Sequence, residues 1–199
     1  PHSQDRDVYG NHASVTLQQV TDELSEFVDT DGLVNELKNA CPPLEGEVID
    51  TVEEAFREYA EGNVVMPTRS TIMVPKYNGS ISFMPSYLTG VDARATKIIS
   101  IYPDNGEKGL PTTAAWIVVN DPETGMIEAF MDATYLTAMR TGAVTGVAAR
   151  YLAPEDSKVV AIFGAGVQGR TQTWAACTVR DIERVYVYDL YKEARERFA

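Results

Sequence analysis

The chain has 199 residues, 44% of them hydrophobic, and a formal net charge of −12. That apolar content supports a sizeable core and excludes global disorder. The acidic balance excludes nucleic-acid binding through a basic face and attachment to anionic lipid. Two cysteines, Cys41 and Cys177, are too few for a disulfide framework. His2 and His12, the only histidines, lie in a polar leader, so no metal site and no histidine-based triad is expected. With no apolar run of about 18 residues and no signal-peptide pattern, a soluble, cytoplasmic protein without a membrane partner is expected.

Helical spacing links Leu17, Val20, Leu24 and Phe27, and again Val48, Val52, Ala55, Phe56 and Tyr59. Cys41-Pro42-Pro43 separates the two runs, and Gly62 caps the second. Strands are predicted at Thr71 to Val74, Ile81 to Met84 and Ala95 to Tyr102, divided by Pro, Gly and Asn. Ala114 to Val119 and Met126 to Phe130 form a hairpin, with Pro122 and Gly125 supplying the fixed and positive φ of its loop. Asp132 opens a helical stretch rich in Ala, Gly and Thr that runs to about Leu152. Tyr135, Met139 and Trp174 read as packing residues, and Glu53-Glu54 as a solvated helix face.

The run Lys158 to Phe163 reads as a strand buried on both faces. It leads directly into Gly164-Ala165-Gly166-Val167-Gln168-Gly169, followed by a helix at Arg170 to Val179 and a second strand at Val185 to Tyr188. In that context G-x-G-x-x-G has a mechanism. The first Gly permits a tight turn, the second lets backbone approach a pyrophosphate, and the third allows close strand–helix packing. The helix N-terminus then offers N–H groups to the phosphates. Asp189, about 20 residues past Gly169, stands where an acid accepts hydrogen bonds from the adenosine ribose. A carboxylate there repels a 2′-phosphate, which favours NAD over NADP, although Lys192 and Arg195 lie nearby.

Upstream, Met66-Pro67-Thr68-Arg69, Phe83-Met84-Pro85-Ser86-Tyr87, Lys97-Ile98-Ile99-Ser100 and Gly109-Leu110-Pro111-Thr112 stand in order. Leu136-Thr137-Ala138-Met139-Arg140-Thr141-Gly142-Ala143 and the glycine turn follow. In these motifs the chain resembles the ornithine cyclodeaminase/μ-crystallin family, in register from about Ile49 onward. The resemblance implies an α/β protein in three parts. Residues 1–45 form an N-terminal helical extension and 46–140 an α+β substrate-binding and dimerisation domain. Residues 141–199 form the first part of a Rossmann (doubly wound) NAD-binding domain.

Carried over residue by residue, the resemblance makes Arg69 and Lys97 substrate-binding, with Lys97 also catalytic. Thr112, Arg140 and Thr141, with Gly164, Ala165, Gly166, Val167, Gln168 and Asp189, become cofactor-binding. By position alone, Arg69 and Lys97 also read as strand-surface charges and Thr141 as a helix cap. The implied reaction is NAD-dependent conversion of an L-amino acid through an imine by a homodimer. Ornithine cyclodeamination, from L-ornithine to L-proline plus ammonia, is the named candidate; an alanine-type dehydrogenase or a ketimine reductase is the alternative. A μ-crystallin-like protein that retains NAD(P)H without turnover, or a bare interaction domain, belongs to another class. The family's catalytic aspartate is expected beyond Ala199, so a fragment that is inactive alone is expected.

Overall fold

A computed structural model describes residues 28–29 and 44–198. The first predicted helix, at Leu17 to Phe27, and the Cys41-Pro42-Pro43 break lie outside the described residues. Within the segment read as a helical extension, Val28–Asp29 is a two-residue strand, β1.

Helix α1 (Leu44–Glu61) is amphipathic, and Gly62 closes it at φ +84° with its N–H on the Tyr59 carbonyl at 3.2 Å. There follow β2 (Val64–Val65), β3 (Ser70–Val74), β4 (Gly79–Leu88), β5 (Ala93–Ile101), β6 (Thr113–Asn120) and β7 (Ile127–Asp132). They make one antiparallel sheet in the order β2-β4-β5-β6-β7, with β3 also paired to β4. The β6–β7 hairpin turns as its sequence demands, with Gly125 at φ +73° and the Asp121 N–H on the Met126 carbonyl.

Helix α2 (Thr134–Leu152) starts later than predicted. Asp132 stays in β7, and its carboxylate accepts from the N–H and hydroxyl of Thr134. An aspartate that satisfies the first helical N–H groups belongs outside the helix, not in it. One stripe of α2, Met139 and Ala143, packs with Ile49 of α1 and Trp174 and Ala175 into the main core cluster.

The remaining elements are β8 (Val159–Phe163), α3 (Val167–Val179), β9 (Arg184–Tyr188) and α4 (Lys192–Phe198). β8 and β9 are parallel, and β1 adds antiparallel to the far edge of β9, giving β1-β9-β8. Helix α3 begins ahead of the predicted Arg170 because the extended backbone of Gly166 serves as its N-cap.

Three expectations are corrected. β8 is covered on one face only: Val160 and Ile162 pack toward Ile182 and Val185, while Phe163 is 65% exposed. Among the described residues its outer edge has no partner strand and no helix covers that face. Tyr135 is 74% exposed and is no packing residue, whereas Met139 and Trp174 are buried. Glu53 is only 8% exposed, because its carboxylate is bonded by Arg150, Arg57 and the Tyr151 hydroxyl, tying α1 to the end of α2. Glu54 remains at the surface.

Candidate active site

Register across the large sheet lines up Met84, Lys97 and Ile117 as direct neighbours on β4, β5 and β6. Paired residues point to the same face, and here that face looks toward α2. The side of α2 carrying Leu136 and Thr137, and Arg140 one helical turn after them, forms the opposite wall. The segment Met66 to Arg69, between β2 and β3, closes the end. The result is a cleft of about 510 Å³, within the size range of small-molecule sites.

Arg69, Lys97 and Arg140 all line this cleft. Among the described residues none of the three has a carboxylate within salt-bridge distance. Burial, then Arg140, then Arg69, lowers the Lys97 ammonium to about 8. Burial and Arg69 likewise push Arg140 down. Like charges crowded without counter-ions are costly in the absence of an anion, so the arrangement suits a bound carboxylate or phosphate. Arg presents a planar two-donor fork and Lys a point charge whose proton is easily lost here.

Sequence reasoning missed Thr137. It is 8% exposed, lines the same cleft, and its hydroxyl has no hydrogen-bond partner. Its spacing one turn before Arg140 and Thr141 is the signal that could have found it. Thr141 lies next to Arg140, with its hydroxyl donating to the Thr137 carbonyl at 2.8 Å. Thr112 is not in the cleft; it is exposed just before β6, its carbonyl accepting from the Tyr102 N–H.

The glycine turn is built for close approach. Gly164 has φ +103°, and a Cβ on Gly169 would overlap the Gly164 carbonyl oxygen. A Cβ on Gly166 would meet no protein atom within 4 Å, so the space above the turn is open. No side chain caps α3 at Gly166, which leaves the N–H groups of its first turn facing that space. Asp189 braces the turn: its carboxylate accepts from the Ala165 N–H at 2.7 Å and the Tyr191 N–H at 3.0 Å. Those bonds, first Tyr191 and then Ala165, hold Asp189 below the usual carboxylate range. The residues present therefore fit a pyrophosphate over Gly164 to Gln168.

Turn and cleft adjoin through α2. A Cβ on Gly142 would meet the backbone of Thr171, and one on Gly146 would meet Ala175. The two helices thus run side by side in the same direction. That register sets the first turn of α3 level with the stretch of α2 that carries Thr137, Arg140 and Thr141.

Residues 39–199 match the sequence profile of the ornithine cyclodeaminase/mu-crystallin family. An alanine dehydrogenase from Archaeoglobus fulgidus is 42% identical over 152 residues, covering 76% of this chain and 46% of the relative. Among solved structures, Thermococcus litoralis Delta(1)-pyrroline-2-carboxylate reductase in complex with NADH and L-proline is similar, with a TM-score of 0.76 and 49% identity. That match covers 83% of this chain and 50% of the other. An archaeal alanine dehydrogenase dimer with bound NAD gives a TM-score of 0.73 at 40% identity, covering 82% and 49%. The chain spans about half the length of these relatives. By profile, identity and fold, the chain belongs to the ornithine cyclodeaminase/mu-crystallin family.

Proposed function

We propose that this chain serves an NAD-dependent oxidoreductase that interconverts an L-amino acid and its imine. The observation that supports this most is the meeting of Arg69, Lys97 and Arg140, without counter-ions, beside an open glycine turn. Arg69 grips the substrate carboxylate as a two-donor fork. Lys97, lowered to about 8, is neutral in part near neutral pH and exchanges a proton at the substrate nitrogen. Arg140 and Thr141, reaching from α2, and Thr112 contact the cofactor. Gly164, Ala165, Gly166, Val167 and Gln168 would hold its pyrophosphate. When bound, NAD would supply the hydride acceptor or donor for the substrate α-carbon.

Asp189 faces the adenosine ribose and favours NAD over NADP. The Arg195 guanidinium supports that choice, since it is buried and bonded to the Asp189 carbonyl at 2.9 Å, not turned toward a 2′-phosphate. The assembly is a homodimer through the large sheet, where Ile72, Met73, Ile127 and Phe130 are exposed. The α+β part carries the substrate and the β8-α3-β9 part opens a Rossmann domain. Cyclodeamination of L-ornithine, dehydrogenation of an alanine-type substrate and reduction of a cyclic ketimine share this carboxylate grip and differ in the fate of the imine.

The test is made on protein expressed from its complete reading frame, with NAD⁺ and L-ornithine or L-alanine, and with NADH and Δ1-pyrroline-2-carboxylate. Proline and ammonia without NADH build-up mark cyclodeamination. NADH accumulation with L-alanine marks a dehydrogenase, and NADH consumption marks a reductase. Tight NAD(H) binding with no turnover of any of these would replace the enzyme with a nucleotide-retaining binding protein.

A further inference from the structure

Beside the cation cleft lies a second cleft of about 510 Å³ between α1, β4 and α2. The two share Met66, Ser86 and Arg140. Beyond those shared residues the second cleft is walled by hydrocarbon and aromatic groups, chiefly Val52, Ala55, Phe56, Tyr59, Leu88 and Val144. Phe56 and Tyr59 present large exposed surfaces to it. No Asp or Glu lines either cleft among the described residues. The nearby carboxylate of α1, Glu58, lies against Gly90 instead.

We propose that the substrate's side chain occupies this second cleft, and that the substrate is an amino or imino acid with an uncharged hydrocarbon side chain. This rests on the reading above that Arg69 and Lys97 hold the substrate's carboxylate end. A side chain leaving that end passes Arg140 and enters an apolar wall. An ammonium on such a side chain would be repelled by the three cations and then lose water without gaining a partner. A hydrocarbon side chain gains by covering Phe56 and Tyr59. Among the reactions sharing the carboxylate grip, this selects dehydrogenation or ketimine reduction over cyclodeamination of a diamino acid.

L-Norleucine and L-ornithine have side chains of the same length, one ending in methyl and the other in ammonium, and so isolate the charge. With the protein from its complete reading frame and NAD⁺, norleucine is expected to exceed ornithine in kcat/KM by at least about tenfold. It is also expected to raise Tm more at equal concentration. Equal effects, or a preference for ornithine in both readouts, would overturn the proposal. A second variant locates the side chain. Ala55 is exposed on α1 and lines only the second cleft, so Ala55→Glu adds a carboxylate there without disturbing the core. The norleucine-to-ornithine ratio should then fall by at least about tenfold, through KM. An unchanged ratio in folded A55E protein places the side chain elsewhere and sinks the assignment. Failure of the underlying reading looks different: amino and imino acids of every kind would then neither turn over nor stabilise the protein.

Discussion

A Cβ placed on Gly142 of α2 would stand 2.5 Å from the carbonyl oxygen of Thr171 in α3. The two helices meet backbone to backbone, with room for a hydrogen and no more. In an exposed helix Gly→Ala gains about 1 kcal/mol of propensity. Here the overlap is with main chain, which has little freedom to retreat, and overpacking costs about 1–3 kcal/mol. Gly142→Ala should therefore destabilise the protein by up to about 2 kcal/mol, read as a lower urea midpoint. A neutral or stabilising result would show that α2 and α3 separate easily.

The pH dependence of anion binding follows from Lys97. Its proton is half lost at about pH 8, so the ammonium form predominates below that pH, is already partly lost near neutrality, and disappears as pH rises further. Affinity for a non-reacting carboxylate such as propionate should weaken across that range. Arg140→Gln removes the largest electrostatic cause of the lowering, so the transition should move to higher pH. Titration calorimetry at several pH values checks both; an unmoved transition in R140Q protein would show that Arg140 does not contribute to it.

Arg69→Lys keeps the charge and loses the fork. If the carboxylate is held by two parallel N–H donors, kcat/KM should fall by roughly tenfold to a hundredfold, as loss of a charged hydrogen bond of about 1.5–3 kcal/mol implies. A variant that retains full kcat/KM would reduce Arg69 to a general source of positive charge.

Glu53 links helices that lie far apart in sequence, and hydrogen bonds first from Tyr151 and then from Arg150 hold its carboxyl below its ordinary value. A folded-state pKa below the unfolded one contributes stability above the unfolded value and loses it as pH falls through the folded one. Acid unfolding should gain a component beginning near pH 4.3 and extending lower. Glu53→Gln should lower Tm at neutral pH and remove that component. If wild type and E53Q lose stability with acid in parallel, the carboxylate is not the link.

Gly169→Ala tests the nucleotide turn apart from catalysis. Its methyl group would overlap the Gly164 carbonyl oxygen and force α3 away from β8. NAD affinity, measured by calorimetry or by quenching of tryptophan fluorescence, should fall at least about tenfold. Unchanged affinity in a folded variant would place the dinucleotide elsewhere.

The elements were legible wherever a local rule sufficed. Gly62 and Gly125 ended a helix and turned a hairpin at the positive φ their positions require. The order strand, glycines, helix, strand and Asp189 emerged as a parallel unit. What sequence could not give was the third dimension of each residue. Glu53 reads as one of two surface acids until Arg150 and Tyr151 arrive from almost a hundred positions away. Strand β8 reads as doubly buried because apolar composition reports the burial a strand suits, not which faces have partners. Thr137 was hidden for a related reason: in an Ala- and Thr-rich helix its hydroxyl stands out only by lying one turn before Arg140 and Thr141. Family resemblance paired Arg69 with Lys97 and gave Arg140 to the cofactor; their convergence on one cleft came from the fold, since nothing in their spacing joins a loop, a strand and a helix.

Helix α2 is uninterrupted from Thr134 to Leu152, with Arg140 on the cleft side and Gly142 and Gly146 against the nucleotide unit. A rod of that kind transmits tilt without bending, so a ligand that shifts one side shifts the other. By thermodynamic reciprocity, whatever factor nucleotide binding applies to carboxylate affinity, carboxylate binding applies to nucleotide affinity. A variant of this helix that alters the coupling therefore alters it by the same factor in both directions, whatever it does to either affinity alone.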